Sequence, residues 1–267
     1  MTRLSHHFDK VALLITHYNR SRSLEALLIA FKDLDCSFGE VVVSDDGSRA
    51  EHLDYIRGLE KTHGFKLITT PKNGGLGNNI NKGQDAVTLP YTLYVQEDFR
   101  PKPAFAEHFT DGLAFLQQDS SLDVVRFYAY FKYPFLKPYG KGFSEMKFKL
   151  WYPGYYKFYQ YSDHPHLRHS NFLQKFGRYV EGQNVDITEY RMSISFLRKK
   201  GKGIFYDRYT EIFDQVNTAT EASTASYRKE WKNSKSLPVR FLRLIYLQFK
   251  YVKFNFDLFF MRLPLNQ

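Results

Sequence analysis

The chain has 267 residues and a formal net charge of +10 at pH 7, and 43% of its residues are hydrophobic. That hydrophobic content supports a sizeable core and argues against a disordered chain, while the positive charge attracts nucleic acid, anionic lipid or phosphorylated ligands. The single cysteine, Cys36, excludes an internal disulfide and favours a reducing compartment.

The first hundred residues alternate between strand and helix patterns. Short apolar runs predict strands within 10–20, 40–48, 65–73 and 91–99. Each of the first three runs is followed by a segment with helical spacing or by a glycine-rich turn that enters a helix. This alternation predicts an α/β fold with a mostly parallel sheet built from βαβ units and flanked by helices.

The remainder of the chain is less regular. Helices are predicted over 105–116, 171–182 and 186–203, and strands over 122–131 and 204–207. Prolines and glycines interrupt the aromatic and basic stretch 132–162, which predicts irregular structure or short hairpins.

The C-terminal segment predicts a basic and aromatic amphipathic helix. Arg243, Lys250, Lys253 and Asp257 fall within about a quarter turn at ~100° per residue, and these charges exclude a membrane-spanning helix over 239–263. Such a helix either packs over the core or contacts an anionic membrane surface. The apolar run 11–15 is too short for a signal peptide.

Four predicted strands end on polar residues, at 16–19, 45–47, 73–75 and 97–98. The carboxyl ends of parallel strands meet at one edge of a sheet, where open α/β sheets bind their ligands. These residues are therefore expected to line one crevice.

Several of these residues allow two interpretations. Asp45 and Asp46 form either an ordinary Asp-Gly turn or an acceptor for a nucleotide base or ribose. The glycine-rich turn at 73–83 does not match a phosphate-binding loop, although its backbone can approach a ligand closely. Glu97 and Asp98 form either a solvated pair or an anchor for a divalent cation, with Asp98 as the metal ligand.

The second half contains two further candidate groups. Asp186 and Glu189 lie on one helical face, where they either favour the helix dipole or provide a general base. His166 and Arg168 lie in a histidine-rich segment, 161–170, that is either a polar loop or a contact for diphosphate or acceptor.

The segments VALLITHYNRSRSLEALL, VVVSDDGS, PKNGGLGNNINKG and YVQEDF, in this order, resemble the nucleotide-binding half of family 2 glycosyltransferases of the GT-A fold. The resemblance spans residues 9–100, and FGRYVEGQNVDITEYRM resembles the later acidic segment of that family. Gln96 stands where the common Asp-x-Asp motif has its first acid.

The resemblance implies an inverting, metal-dependent glycosyltransferase that uses a nucleotide-sugar donor, with a UDP-sugar favoured, and Mg²⁺ or Mn²⁺. It implies Asp98 as metal ligand and Asp186, or alternatively Glu189, as catalytic base. Substrate contacts are expected from Thr16, Tyr18, Arg20, Asp45, Asp46, Asn73, Gly74, Asn78, Glu97, His166 and Arg168.

The expected organisation is a catalytic domain over 1–236, with a donor half at 9–100 and an acceptor half at 101–236, and a helix within 237–267. We expect a cytoplasmic enzyme, peripheral to the inner face of the cell membrane through 239–263, that uses a saccharide or lipid-linked acceptor in cell-surface polysaccharide or glycolipid synthesis. The alternative is a non-catalytic protein that binds nucleotide-sugars or nucleic acid. No RNA-binding or zinc-finger motif is present, so a nucleic-acid partner is not expected.

Overall fold

A computed structural model describes residues 5–216, 221 and 237–262. The first seven elements alternate as β1 (His6–His17), α1 (Ser21–Asp33), β2 (Cys36–Asp45), α2 (Ala50–His63), β3 (Lys66–Ile68), α3 (Gly75–Asp85) and β4 (Tyr91–Gln96). The remaining strands are β5 (Phe99–Pro101), β6 (Val124–Arg126), β7 (Leu136–Gly140), β8 (Phe143–Met146), β9 (His166–His169), β10 (Gly203–Tyr206) and β11 (Phe213–Gln215). The remaining helices are α4 (Phe105–Gln118), α5 (Phe172–Phe176), α6 (Val185–Arg198) and α7 (Leu237–Phe260), with short 3-10 helices at Tyr155–Phe158 and Tyr209–Glu211.

One sheet organises the fold, with strand order β3-β2-β1-β4-β9-β6-β10-β8-β7. Strands β8 and β9 run against the direction shared by the others in this sheet. The predicted α/β class and mostly parallel sheet are confirmed. A separate two-stranded ribbon pairs β5 with β11, which brings the segment after β10 back to the end of β4.

The sheet is covered by helices on both faces because the side chains of β1 alternate between them. Leu13 and Ile15 pack in the same cluster as apolar residues of α1, α2 and α4, whereas Leu14 packs with residues of α3, α5 and α6. A strand buried on both faces requires a continuously apolar sequence, which is what residues 11–15 provide.

Two segments differ from their predicted structure. The histidine-rich segment forms the antiparallel strand β9, which pairs with β4 and β6, so the prediction of a polar loop is wrong for residues 166–169. The sequence did not predict this strand because its side chains are polar, and the partners that they contact in the core cannot be read from the sequence. The helix predicted over 171–182 ends at Phe176, and Gly177 follows it with a positive φ of 89°.

Helix α7 packs on the domain through a mixed face, on which Phe254 is buried against Phe158 and Ile194 and charged side chains lie beside it. Lys250 donates to the hydroxyl of Tyr159 at 2.9 Å, and the hydroxyl of Tyr190 donates to Asp257 at 2.7 Å. The opposite side is exposed and apolar, with Phe249 70% and Phe256 60% exposed. Within the described chain, no helix is both long enough and apolar enough to span a bilayer.

Gly77 allows α3 to approach the segment that leads into α6. A Cβ at this position would lie 2.2 Å from the carbonyl oxygen of Val180. We therefore expect Gly77→Ala to lower the free energy of unfolding by about 1–3 kcal/mol in urea denaturation. The matched control is Gly58→Ala on α2, where a Cβ meets nothing within 4 Å and should stabilise the helix by about 0.5–1 kcal/mol. Equal stability of the two variants would contradict the packing argument.

Candidate functional site

The carboxyl ends of β1, β2 and β4 are level with one another. His17 lies opposite Asp45, and Thr16 lies opposite both Ser44 and Gln96. The polar residues that follow these strands are therefore brought to one edge, as their sequence positions predicted. Arg126 at the end of β6 and His166 at the start of β9 pair at the same edge, which extends the crevice across the sheet.

Asp45 holds three strand ends together. Its carboxylate contacts His17 Nδ1 at 2.8 Å and accepts hydrogen bonds from the backbone N–H of Ser48 at 3.0 Å and the hydroxyl of Thr69 at 2.9 Å. His17 Nε2 accepts the backbone N–H of Arg20 at 3.0 Å, so Nδ1 carries the proton and donates to Asp45. Burial lowers the pKa of His17 and keeps the ring neutral.

The pKa of Asp45 reflects these contacts. Burial would raise it, but the hydrogen bonds from His17 and Ser48 outweigh burial and lower it to about 2. Asp45 is fully buried. Its structural role in joining the strand ends therefore accounts for its place in the sequence motif.

Asp46 fixes the glycine-rich turn. Its two oxygens accept the backbone N–H groups of Gly74 and Gly75, each at 2.9 Å. Gly75 has a φ of 84°, a conformation that favours glycine. Burial raises the pKa of Asp46, and the nearby charge of Lys82 opposes that rise. The turn is thus held at the edge before any ligand binds.

The start of α3 is joined to the segment before α6. The side-chain amides of Asn78 and Asn81 donate to the two carboxylate oxygens of Glu181, at 2.9 and 2.8 Å. Asn73 is exposed at the turn, and its side chain accepts the N–H of Gly75 at 3.1 Å. These contacts close one end of the crevice.

Arg20 lies between the adjacent acids that end β4. Its Nη1 atom is 3.5 Å from Glu97 Oε1 and 3.1 Å from Asp98 Oδ2. Burial, and after it the charge of Asp98, raises the pKa of Glu97 to about 8 although Arg20 opposes the shift. The guanidinium of Arg20 thus lowers the free-energy cost of burying two neighbouring acids. It also brings positive charge to the predicted diphosphate position.

Asp98 retains one unused ligand atom. Its Oδ2 accepts the side-chain amide of Gln215 at 3.0 Å, and its backbone carbonyl accepts the N–H of Val216 at 2.7 Å. Its Oδ1 is buried and has no hydrogen-bond partner among the residues that the structure describes. The part of the chain that the structure describes contains no cluster of three or more His, Cys, Asp or Glu suited to a metal. A carboxylate oxygen without a hydrogen-bond partner nevertheless suits a divalent cation that has one protein ligand and takes its other ligands from phosphate and water.

Three further predicted substrate contacts, Thr16, His166 and Arg168, are also buried within the protein. Thr16 is bonded to the hydroxyl of Tyr94 at 3.0 Å. Arg168 donates to the hydroxyl of Tyr179 at 2.8 Å and to Gln84 at 2.9 Å, and both Arg168 and His166 are fully buried in β9. The side chains of His166 and Arg168 are thus buried in this structure, and their contact with substrate stays a prediction. Tyr18, which directly follows β1, is half-buried.

The crevice also contains residues that the sequence patterns did not indicate. Asp163 is buried immediately before β9, where burial, and after it the charge of Glu189 on α6, raises its pKa well above the ordinary value. Arg126 is buried at the end of β6, where burial lowers the pKa of its guanidinium to about 10 although the charge of Glu189 opposes this shift. Asp186 is exposed in the first turn of α6. Only the pairing of β9 places Asp163 here, so no local signal could have found it.

Comparison with known proteins places this arrangement in a family. The model of the family described as "Glycosyl transferase family 2" matches residues 12–178, which is more than half of the chain. The chain belongs to glycosyl transferase family 2. The match includes β1 to β9 and therefore all the strand ends described above.

The relatives of this family 2 chain are distant. A poly-beta-1,6-N-acetyl-D-glucosamine synthase of Staphylococcus epidermidis is 24% identical over 109 residues, which cover 36% of this chain and 26% of that protein. The chain therefore matches about a quarter of that relative's length.

Solved structures share the GT-A fold. S. aureus TarS 1-349 in complex with UDP-GlcNAc superposes with a TM-score of 0.57 at 15% identity, covering 84% of this chain and 64% of that one. GalNAc-T7 with UDP, GalNAc and Mn²⁺ gives a TM-score of 0.55 at 12% identity, covering 74% and 42%. The mannosyltransferase PcManGT from Pyrobaculum calidifontis, in complex with GDP-Man and Mn²⁺, gives 0.52 at 13% identity, covering 73% and 53%. At these identities the likeness establishes the fold alone.

The hydrogen bonds to Asp45 predict a pH-dependent contribution to stability. The pKa of Asp45 lies below its unfolded value of about 3.9, so this contribution is complete above that value and is lost as the pH falls towards about 2. We expect Asp45→Asn to lower the free energy of unfolding at pH 7 by about 2 kcal/mol, with the loss shrinking on acidification. Asp54→Asn is the control, since its ion pair with Arg57 is exposed and contributes about 0–1 kcal/mol. A loss that did not change with pH would contradict the assignment.

Proposed function

We propose that the chain transfers a sugar from a nucleoside diphosphate donor to an acceptor hydroxyl, with inversion at the anomeric carbon. The observation that supports this most directly is Arg20 beside Glu97 and Asp98 at the carboxyl edge of a family 2 sheet. A UDP-sugar is the favoured donor, since TarS has been solved with UDP-GlcNAc. The relationship to a poly-N-acetylglucosamine synthase favours a role in cell-surface polysaccharide or glycolipid synthesis, with a saccharide or lipid-linked acceptor.

The donor would lie across the level strand ends. Asn73, Gly74 and Asn78 form the turn proposed to face the nucleoside, and Asp46 holds that turn. Tyr18, which directly follows β1, is proposed to contact the donor as well. Asp45 supports this turn through the strand ends and does not itself offer a free oxygen. Thr16, His166 and Arg168 are buried, and their contact with substrate stays a prediction.

Asp98 is the residue proposed to hold Mg²⁺ or Mn²⁺, with Glu97 beside it. When bound, such an ion would neutralise negative charge on the departing diphosphate. Arg20 contributes a fixed positive charge at the same place, and its contacts with both acids orient its guanidinium. The rotation or exchange of the Gln215 amide at Asp98 Oδ2 would open a second ligand position.

Glu189 is better placed than Asp186 to act as the general base. Glu189 is half-buried and its charge acts on Arg126 and Asp163 in the crevice, whereas Asp186 is exposed at the helix start. A base must reach the proton of the acceptor hydroxyl within the water-excluding site. We therefore retain Asp186 only as the alternative base.

Donor binding is the direct test. We expect one of UDP-GlcNAc, another UDP-sugar, a GDP-sugar or a dTDP-sugar to raise the melting temperature in a thermal-shift assay, with a larger rise in Mn²⁺. A ligand at about 100 times its dissociation constant stabilises the folded protein by about 2.7 kcal/mol. Asp98→Asn should remove the Mn²⁺-dependent part, while the exposed pair member Asp54→Asn should retain it.

No shift with any nucleotide-sugar, with or without Mn²⁺, would contradict the proposed donor site. A shift without transfer to any acceptor would instead favour a non-catalytic nucleotide-sugar-binding protein. Gln96 is the residue that motivates this alternative, because the commoner motif has an acid there.

We also propose that α7 holds the protein at the inner face of the cell membrane. Its exposed side includes an apolar stripe that spans about 100° of the helix circumference, with the exposed Gln248 and Lys253 at the two edges of that stripe. This stripe, the apolar face of α7, consists of Phe241, Leu242, Ile245, Phe249, Val252, Phe256, Phe259 and Phe260. Beside α7, Trp151 is 75% exposed and Lys149 Nζ lies 5.4 Å from its ring centroid. Exposed apolar and aromatic side chains with basic residues beside them suit an anionic lipid surface.

Vesicle co-sedimentation tests the membrane proposal. We expect the protein to sediment with phosphatidylserine-containing vesicles and Phe249→Ser/Phe256→Ser to remain in the supernatant, since each Phe contributes about 1.5–3 kcal/mol when fully buried. Ile29→Ser, which removes an exposed apolar side chain from α1, is the control and should bind as the parent does. If the double substitution leaves vesicle binding unchanged, this face is not the membrane contact. If it instead abolishes self-association of the protein, the face binds a second copy of the chain.

A further inference from the structure

The side-chain amide of Gln215 lies beside the proposed metal ligand. Its nitrogen donates to Asp98 Oδ2 at 3.0 Å. Neighbouring oxygen ligands of an octahedral divalent cation, each about 2.1 Å from the metal, lie about 3 Å apart. The amide group is therefore already at the spacing of a second ligand next to Asp98. Its orientation is that of a hydrogen-bond donor, since the nitrogen rather than the oxygen faces the carboxylate.

The ribbon of β5 and β11 fixes the backbone of Gln215 at this place. Gln215 pairs with Phe99, which follows Asp98 in the chain, and the N–H of Val216 donates to the carbonyl of Asp98 at 2.7 Å. Phe213 at the start of β11 is fully buried, and its ring packs edge-on against Phe99 with the centroids 6.3 Å apart. The side chain of Gln215 can therefore turn without any movement of the ribbon.

Tyr130 sets the orientation of the Gln215 amide. Its hydroxyl donates to Gln215 Oε1 at 2.8 Å, which leaves Nε2 towards Asp98, and its ring packs edge-on against His164 with the centroids 4.4 Å apart. A tyrosine hydroxyl also accepts hydrogen bonds, so it can bond Nε2 after a half-turn of the amide. Asp98 Oδ2 would keep its contact with Arg20 Nη1 at 3.1 Å. A half-turn therefore costs little in hydrogen bonds, and this terminal torsion is soft.

The other glutamine near Asp98 is engaged elsewhere. The amide nitrogen of Gln96 donates to the backbone carbonyl of Asp163 at 3.3 Å, which ties Gln96 to the segment before β9. Of these two glutamines, Gln215 is the one whose amide bonds the carboxylate of Asp98.

We propose that Gln215 is a second protein ligand of the divalent cation, which binds through Oε1 after a half-turn of the amide, and that Tyr130 is the positioning residue that holds the turned amide. This inference rests on the proposed function. Asp98 Oδ1, which is buried without a hydrogen-bond partner among the described residues, supplies the first oxygen. An amide oxygen is a hard, neutral ligand of the kind that such cations accept beside carboxylates.

Mn²⁺ binding to the full chain in the presence of UDP, and separately of GDP, tests the proposal through the electron paramagnetic resonance signal of free Mn²⁺. We expect Gln215→Ala to weaken Mn²⁺ binding by about 10-fold or more, because a ligand is lost, and Tyr130→Phe to weaken it by about 10-fold, because the ligand is no longer oriented. Gln215→Glu should bind Mn²⁺ at least as tightly as the parent, since its carboxylate also offers an oxygen. The matched control is Gln118→Ala at the exposed end of α4, which should bind as the parent does.

Melting temperatures without metal separate this role from a merely structural hydrogen bond. Gln215→Glu places a like charge beside Asp98, so its melting temperature without Mn²⁺ should fall while the rise on adding Mn²⁺ and UDP grows. Parent-like Mn²⁺ affinity in Gln215→Ala would overturn the inference and leave the donor site standing. If Gln215→Ala does not fold, weaker Mn²⁺ binding in Gln215→Glu would overturn it. Absence of Mn²⁺ binding in the parent with either nucleotide would refute the metal role proposed for Asp98, and this inference with it.

Discussion

Buried carboxyl groups gather at one edge of the sheet, and the architecture around the site depends on compensating each of them. They include Asp45, Asp46, Glu97, Asp98 and Asp163. An isolated buried carboxylate is costly, so each needs a donor, an opposite charge or a proton. The compensating groups come from other segments: His17 for Asp45, backbone amides for Asp46, and Arg20 for the pair that ends β4. Burial raises the pKa of Asp163 well above its ordinary value, so this residue keeps its proton. The strand ends are thereby tied together before a ligand arrives.

The same compensation divides the acids into two groups. Asp45 is saturated by hydrogen bonds, and its depressed pKa is a property of structure. Within the described part of the chain, Asp98 Oδ1 has no hydrogen-bond partner, and Glu97 and Asp163 have raised pKa values. Ionisable groups with strongly shifted pKa values concentrate at functional sites, because binding and catalysis need pKa values that differ from the ordinary ones. The reactive part of the crevice is therefore expected between the end of β4 and the start of α6.

Helix α7 shows a second consequence of pairing buried charge. Its Lys250, Asp257 and Asn255 turn inward because tyrosine hydroxyls and Lys157 on the domain surface can bond them. Phe254 packs inward beside them, but the wider apolar face that contains Phe249 and Phe256 is left outward, whereas a helix packed on a soluble domain usually turns such a face inward. Charge periodicity predicted the two faces correctly, but it could not tell which of them the domain would cover.

The sequence by itself determined the alternation of strands and helices in the first hundred residues and the polar character of the strand ends, because period and turn chemistry are local properties. It therefore placed Arg20, Asp46 and Asp98 at one edge. Only the tertiary structure decided that residues 166–169 form a strand with Arg168 in the core, that the Gln215 amide meets Asp98, and that Asp45 is saturated. Each of these depends on a partner from a distant segment, and burial with its compensating contact is a property of the folded chain rather than of any local pattern.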